Sequence, residues 1–169
     1  MKNIIRELLP YVLILGGVIL IRTFIVTPVI VSGDSMKPNL HNGDLLLERK
    51  IGYNSTNIKR FDIVVIKEGK EEIIKRIIGL PGEHISYKNN KLYVNDKVLE
   101  ENFDFRKTND FNLEEICSCN SIPEGKYLVL GDNRRGSYDG RMFGFVKKSQ
   151  IEGKTSLTIF PFNRIGFRK

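Results

Sequence analysis

Three short segments of this chain bring together residue types that could do acyl-transfer chemistry. The first is Ser32-Gly33-Asp34-Ser35-Met36-Lys37-Pro38-Asn39-Leu40. A flexible Gly33-Asp34 pair leads into Ser35, and Gly33, lacking a Cβ, would let a second backbone approach closely. The second is Glu71-Glu72-Ile73-Ile74-Lys75-Arg76-Ile77-Ile78. In a strand, Lys75 shares a face with Ile73 and Ile77. A lysine held on an apolar face is costly while charged, so its pKa falls and it can serve as a general base. The third is Gly131-Asp132-Asn133-Arg134-Arg135-Gly136-Ser137-Tyr138-Asp139-Gly140-Arg141, following an apolar run. Asp132, Asp139, Arg134 and Arg141 could form charge-assisted pairs there.

Each segment also has a plain reading: a turn with a solvated serine, an edge strand whose lysine snorkels, a solvated turn. A serine nucleophile needs a base within reach. The two histidines, His41 and His84, fall in no evident His–Asp–Ser order, which leaves lysine as the plausible base.

The elements that must position these residues fall into two parts. Leu8 to Ile21 is free of charge, Arg22 follows, and Thr23 to Val31 is uncharged again. Leu8 to Val26 meets the ~20 apolar residues that a membrane helix needs, provided Arg22 snorkels to the headgroups. A buried core helix would show a polar stripe, and none is seen. A cleaved leader would need a small-x-small site. Arg22-Thr23-Phe24-Ile25-Val26-Thr27-Pro28 offers none, and the chain contains no alanine. An uncleaved anchor over 8–27 is therefore expected, with Lys2 and Arg6 holding residues 1–7 in the cytoplasm and 28–169 outside.

Beyond Pro28 the texture changes to short β-like runs broken by turn residues. They are Leu45 to Glu48, Ile63 to Ile66, Ile73 to Ile78, Ile85 to Tyr87, Leu92 to Val94, Tyr127 to Leu130 and Leu157 to Phe160. Asn89-Asn90 and Asn95-Asp96 read as hairpin turns, and 99–121 as an irregular surface excursion. The fold class expected is mainly β: one N-terminal transmembrane helix followed by a compact antiparallel domain.

A hydrophobic content of 41% with 28% charged residues is globular and excludes a disordered chain. The net charge of +7 comes from scattered Lys and Arg. No nucleic-acid motif accompanies them, so a solvated surface near anionic headgroups is the reading. Cys117 and Cys119 are the only cysteines. Cysteines and histidines fit no zinc pattern, and a disulfide across one residue is strained, so free thiols and no metal are expected.

The three segments, in this order behind an N-terminal anchor, resemble the type I signal peptidases, in the short single-span form of Gram-positive bacteria. The resemblance covers nearly the whole chain, to Phe160-Pro161-Phe162-Asn163-Arg164. It implies that Ser35 is the nucleophile and Lys75 the general base. It implies that Ser137 orients the lysine, and that Arg76, Asp132, Arg134, Asp139 and Arg141 hold the site together. The substrate would bind as an added strand against Val29, Val31, Gly33, Met36, Leu40, Glu72, Ile73 and Ile74. Two departures stand out. Gly33 occupies the position where Gram-negative relatives carry a serine oxyanion donor, leaving backbone N–H groups such as that of Ser35. Arg135-Gly136 replaces the commoner Asp-Asn. The implied substrates are signal peptides with Ala-x-Ala-like sites, cut at the lipid bilayer near the secretion translocon, with no cofactor and no nucleic acid. The alternatives are a dedicated processing peptidase of this fold, a soluble self-cleaving repressor, against which the anchor argues, and a non-catalytic peptide-binding module, which would need neither Ser35 nor Lys75.

Overall fold

A computed structural model describes residues 2–24, 26–50, 53 and 58–168, with side chains of the first helix from 6 to 18. Helix α1 covers Lys2–Phe24. Strands follow at β1 Val26–Ile30, β2 Leu45–Arg49, β3 Ile63–Glu68, β4 Glu71–Gly79, β5 Ile85–Lys88 and β6 Lys91–Val94. Next come β7 Lys97–Leu99, β8 Phe111–Asn112, β9 Lys126–Leu130, the one-turn helix α2 Gly140–Phe143, β10 Val146–Lys147, β11 Ile151–Phe160 and β12 Gly166–Phe167. All strand pairs are antiparallel.

The larger sheet runs β1-β2-β11-β3-β4-β9-β10, with β12 on β11, and the smaller runs β7-β6-β5-β8. Period-two alternation explains the core. Ile74 joins Val29, Val31, Met36 and Leu40 in one buried cluster, while its neighbours Ile73 and Ile77 pack with Val64, Ile66 and Val129 in another. The hairpin turns lie where expected. Asn89, Asn90, Asn95 and Asp96 all take positive φ, between 49° and 64°, which asparagine and aspartate tolerate best among residues other than glycine.

The apolar residues of α1 are exposed: Leu8, Leu9, Tyr11, Val12, Leu13, Ile14, Leu15 and Val18. Among the described residues no helix is long and apolar enough to cross a membrane. Lys2 and Arg22, expected above to set the topology, lie outside the described side chains. The extended chain begins at Val26, inside the segment assigned to the anchor, because Val26 to Ile30 pair with Arg49 to Leu45.

The free-thiol expectation is corrected: Cys117 and Cys119 are joined by a disulfide. A 3-10 turn at Leu113–Glu115, held by a reciprocal Asn112–Glu115 cap, leads into a tight bend in which the Cys119 N–H donates to the Cys117 carbonyl. The bend brings the two Cα atoms to 5.2 Å, inside the bridging range.

Candidate active site

Ser35 sits at the head of a tight loop rather than on a regular element. Buried Met36 and Leu40 anchor the loop from below, and the Leu40 N–H donates to the Met36 carbonyl. Asn133 holds it from the side. Its N–H donates to the Ser35 carbonyl at 2.9 Å, and its Nδ2 donates to the Asp34 carbonyl at 3.1 Å. Asn39 Nδ2 closes the far end, donating to Asp132 Oδ2 at 2.7 Å and to the Asp104 carbonyl at 2.6 Å. Neither asparagine stood out in the sequence as a site residue, since both look like ordinary turn formers.

Lys75 arrives from the middle of β4. Its Nζ is 3.0 Å from Ser35 Oγ and donates also to the Ile74 carbonyl at 3.2 Å. The residue is 4% exposed. Burial pushes its pKa below the usual lysine value, and the fields of Asp139 and Asp132 oppose that shift without reversing it. The site therefore holds a serine hydroxyl beside an amine biased toward its neutral form.

Gly131 makes the convergence possible. It follows Leu130, which pairs with Arg76, and so comes opposite Lys75. A Cβ there would lie 2.2 Å from Ser137 Oγ and 2.5 Å from the Ser35 carbonyl oxygen. Only glycine leaves that space open. Ser137 is buried against this spot, but among the described residues its Oγ makes no hydrogen bond; the bond to Lys75 that the resemblance implies is not formed in this arrangement.

The supporting residues fall into two ion-pair groups. Arg76 and Asp132, both 0% exposed, form a fork: Nε to Oδ1 at 2.7 Å and Nη2 to Oδ2 at 2.6 Å. Arg76 also donates to the Phe61 carbonyl and lies under the Phe103 ring, 3.9 Å from its centroid. Asp139 caps α2, accepts the Gly131 N–H at 3.0 Å, and pairs with Arg141. Arg141 donates in turn to the Arg134 carbonyl. Arg134 is turned away from the dyad. It bonds Glu101, Tyr87 and Thr108 and stacks on Phe105, so it fastens the 99–121 segment to the motif loop. Glu101, Phe103 and Phe105 are thus supporting residues that sequence reading missed. The alternation Phe103-x-Phe105 was the available signal.

A groove of about 620 Å³ leads to Ser35 and Lys75, walled by residues 28–32 and 71–75 with Met36. It contains the expected Val29, Val31, Met36, Glu72, Ile73 and Ile74. Leu40 lies beneath it in the apolar cluster. Gly33 stands outside it, with φ +86° and its N–H bonded to Asn42 Oδ1. Among the described residues the strands that wall the groove offer edges to it: β1 pairs with β2 alone, and residues 71–75 of β4 with β3 alone, because β9 joins β4 from Arg76 onward. Among the described residues no group of three or more His, Cys, Asp or Glu could hold a metal ion.

Residues 1–160 match the family model for signal peptidase, peptidase S26. Among similar proteins, a signal peptidase I of Bacillus caldolyticus is 44% identical over 158 residues, covering 88% of this chain and 87% of that protein. A signal peptidase IB of Staphylococcus aureus (strain MRSA252) is 37% identical over 162 residues, covering 88% and 85%. A crystal structure of a signal peptidase I from Enterococcus faecalis V583 superposes with a TM-score of 0.53 at 39% identity, over 58% of this chain and 96% of that one. A match over nearly the whole sequence, with the fold shared, means that the chain belongs to the signal peptidase family, peptidase S26.

Proposed function

We propose that this signal peptidase removes signal peptides from exported preproteins with Ser35 as nucleophile and Lys75 as its general base. The observation that carries the assignment is the 3.0 Å approach of a buried Lys75 Nζ to Ser35 Oγ at the end of an open-edged groove. The signal peptide enters extended between the parts of β1 and β4 that wall the groove and makes main-chain hydrogen bonds to them. Neutral Lys75 takes the Ser35 proton as Oγ attacks the carbonyl carbon of the scissile bond. The oxyanion is met by backbone N–H groups, that of Ser35 among them. The C–N bond then breaks, and Lys75 gives its proton to the departing amine of the mature protein. Water deprotonated by Lys75 hydrolyses the Ser35 ester and frees the signal peptide. The pairs Arg76–Asp132 and Arg141–Asp139 hold the strand and loop that carry these groups.

Substrate choice follows from strand geometry. Side chains one and three residues before the cut point the same way, into the enzyme, where Val29, Val31, Met36 and Ile74 wall the groove. Branched walls leave room for small side chains, hence Ala-x-Ala. Leucine at either position is expected to lower kcat/KM by roughly 10–200-fold, and the residue between to be free. Otherwise identical preproteins varied at these three positions test this. Equal cleavage of Ala-x-Ala and Leu-x-Leu, or strict selection in the middle, would overturn the pocket assignment.

We propose further that α1 anchors the enzyme in the lipid bilayer, close to the translocon, with residues 28–169 outside. The support is its run of exposed large apolar side chains, which water disfavours and hydrocarbon accommodates. Protease added to intact protoplasts is expected to digest the catalytic domain. Full protection until lysis would reverse the topology.

A further inference from the structure

β2 buries a carboxyl group that the cleavage mechanism does not use. Alternation turns Leu46 and Glu48 inward and leaves Arg49 exposed. Glu48 is 1% exposed. Thr27 of β1 and Thr155 of β11 stand opposite it on either side. Its carboxyl lies over Gly153, where a Cβ would come within 2.7 Å of Oε1 and 2.8 Å of Cγ, so no larger residue fits beneath it. Among the described residues Oε1 has no hydrogen-bond partner, and Thr155 Oγ1 donates to the Leu47 carbonyl instead. Oε2 stands 3.7 Å from Lys50 Nζ, beyond hydrogen-bond reach. A carboxyl held in this way is far less costly as the neutral acid than as the anion.

The charges around it do not reverse that preference. Burial, the largest cause, pushes the Glu48 pKa up to about 7; Lys50 opposes the shift, while Glu152 of β11 and Glu72 of β4 add to it. Lys50 is itself shared with Glu152, 4.0 Å away. Lys154 of β11 is paired with Asp62, and β1 brings no titratable side chain. An unfolded glutamate titrates near about 4.3, so the folded chain keeps this proton up to a higher pH. The stability that it contributes is full below the lower value and lost as pH rises through the upper one. Ionisation puts an uncompensated negative charge at the junction of β1, β2 and β11. Among the described residues β1 pairs with β2 alone, and its residues 28–30 wall the groove. Whatever loosens this junction therefore loosens the wall against which a substrate strand lies.

We propose that Glu48 is a positioning residue whose proton keeps β1 seated on β2 and so holds the groove in the shape that binds substrate. This rests on the groove being the signal-peptide site. The test compares full-length wild type in detergent with Glu48→Gln, a neutral mimic of similar shape. KM for one preprotein is measured from about pH 6 to about pH 9. Wild-type KM is expected to rise about three- to tenfold over that range, as the fraction of competent groove falls, and KM of Glu48→Gln to stay flat. The kcat, which carries the Lys75 ionisation, should rise alike in both. Thermal melts need no substrate. The unfolding constant of wild type relative to Glu48→Gln should grow about 10- to 100-fold between about pH 5 and about pH 8. Lys50→Gln serves even where Glu48→Gln folds poorly: it removes the cation that favours the ionised form and should move the rise in KM to higher pH. A flat wild-type KM, a rise that persists in Glu48→Gln, a rise left unmoved by Lys50→Gln, or melting curves that run parallel with pH would each overturn the proposal. Failure of wild type to cleave any preprotein would instead sink the reading of the groove and the positioning role with it, while the melts would still decide whether Glu48 holds the proton.

Discussion

Lys75→Arg is expected to abolish turnover, lowering kcat by about 10⁴-fold or more, as loss of an essential member of a nucleophile–base unit does in serine proteases. Charge and length are nearly conserved in this exchange, so it isolates the proton. A guanidinium stays protonated at any useful pH and cannot accept the Ser35 proton. Ser35→Ala and Lys75→Ala should fail to a similar degree, with melting behaviour kept. The wild-type pH profile carries the same information. The Lys75 pKa is lowered by burial, and in the proposed mechanism the active form is the neutral amine. Activity therefore rises as pH climbs through that depressed pKa and is lost below it. Steady-state cleavage of a preprotein across the pH range measures both. Substantial turnover by Lys75→Arg, or a flat wild-type profile from acid to alkaline pH, would remove Lys75 as the base.

Asp132→Ala should be the most damaging change to stability. It strands the Arg76 guanidinium, 0% exposed, without its fork, and it also leaves Asn39 Nδ2 without one acceptor. Removing one partner of a buried pair costs about 3–5 kcal/mol, because a buried charge is left uncompensated. At this chain length that is roughly 6–20 °C in melting temperature. The companion variant Arg76→Met with Asp132→Leu removes both charges and is expected to recover most of the lost stability. Activity should stay low in it, since Asn39 loses its tether from the nucleophile loop. Thermal melts of wild type, single and double variants decide the matter. A single variant that melts like wild type would show that the pair does not hold the sheet.

The strands were legible because their information is local. The alternation in Ile73 to Ile78 and the asparagine turn at 89–90 specify β4 and the β5–β6 hairpin to within two residues at the ends, whereas β7 was not read as a strand and β11 only over its last four residues. The start of β1 was hidden because Val26 and Thr27 read equally well as the tail of an apolar helix; only their pairing with Arg49 and Glu48 reveals the strand. Asn39 and Asn133 were hidden for a different reason. Their partners, Asp132 and the Asp34 and Ser35 carbonyls, are more than ninety residues distant in sequence. The 99–121 segment read as solvent-facing because it is rich in Asn, Asp and Glu. Yet Thr108 and Leu113 are buried in it, and Glu101 and Phe103 take up the backs of Arg134 and Arg76. An arginine that needs both a carboxylate and a ring is satisfied by residues that look polar or stray when read singly.

In the proposed binding mode, the stretches of β1 and β4 that wall the groove make the enzyme a reader of chain shape before it is a reader of sequence. In that mode the main-chain groups of β1 from Pro28 onward and of residues 71–75 on β4 that face the groove bond an extended backbone, and a folded helix or closed sheet cannot take its place. On that mode the proposed Ala-x-Ala site inside a finished domain is invisible, because its own backbone groups are already taken. The proposed mode thereby confines cleavage to the interval in which the junction between signal and mature protein has not yet folded, so the same two strands time the reaction as well as localise it.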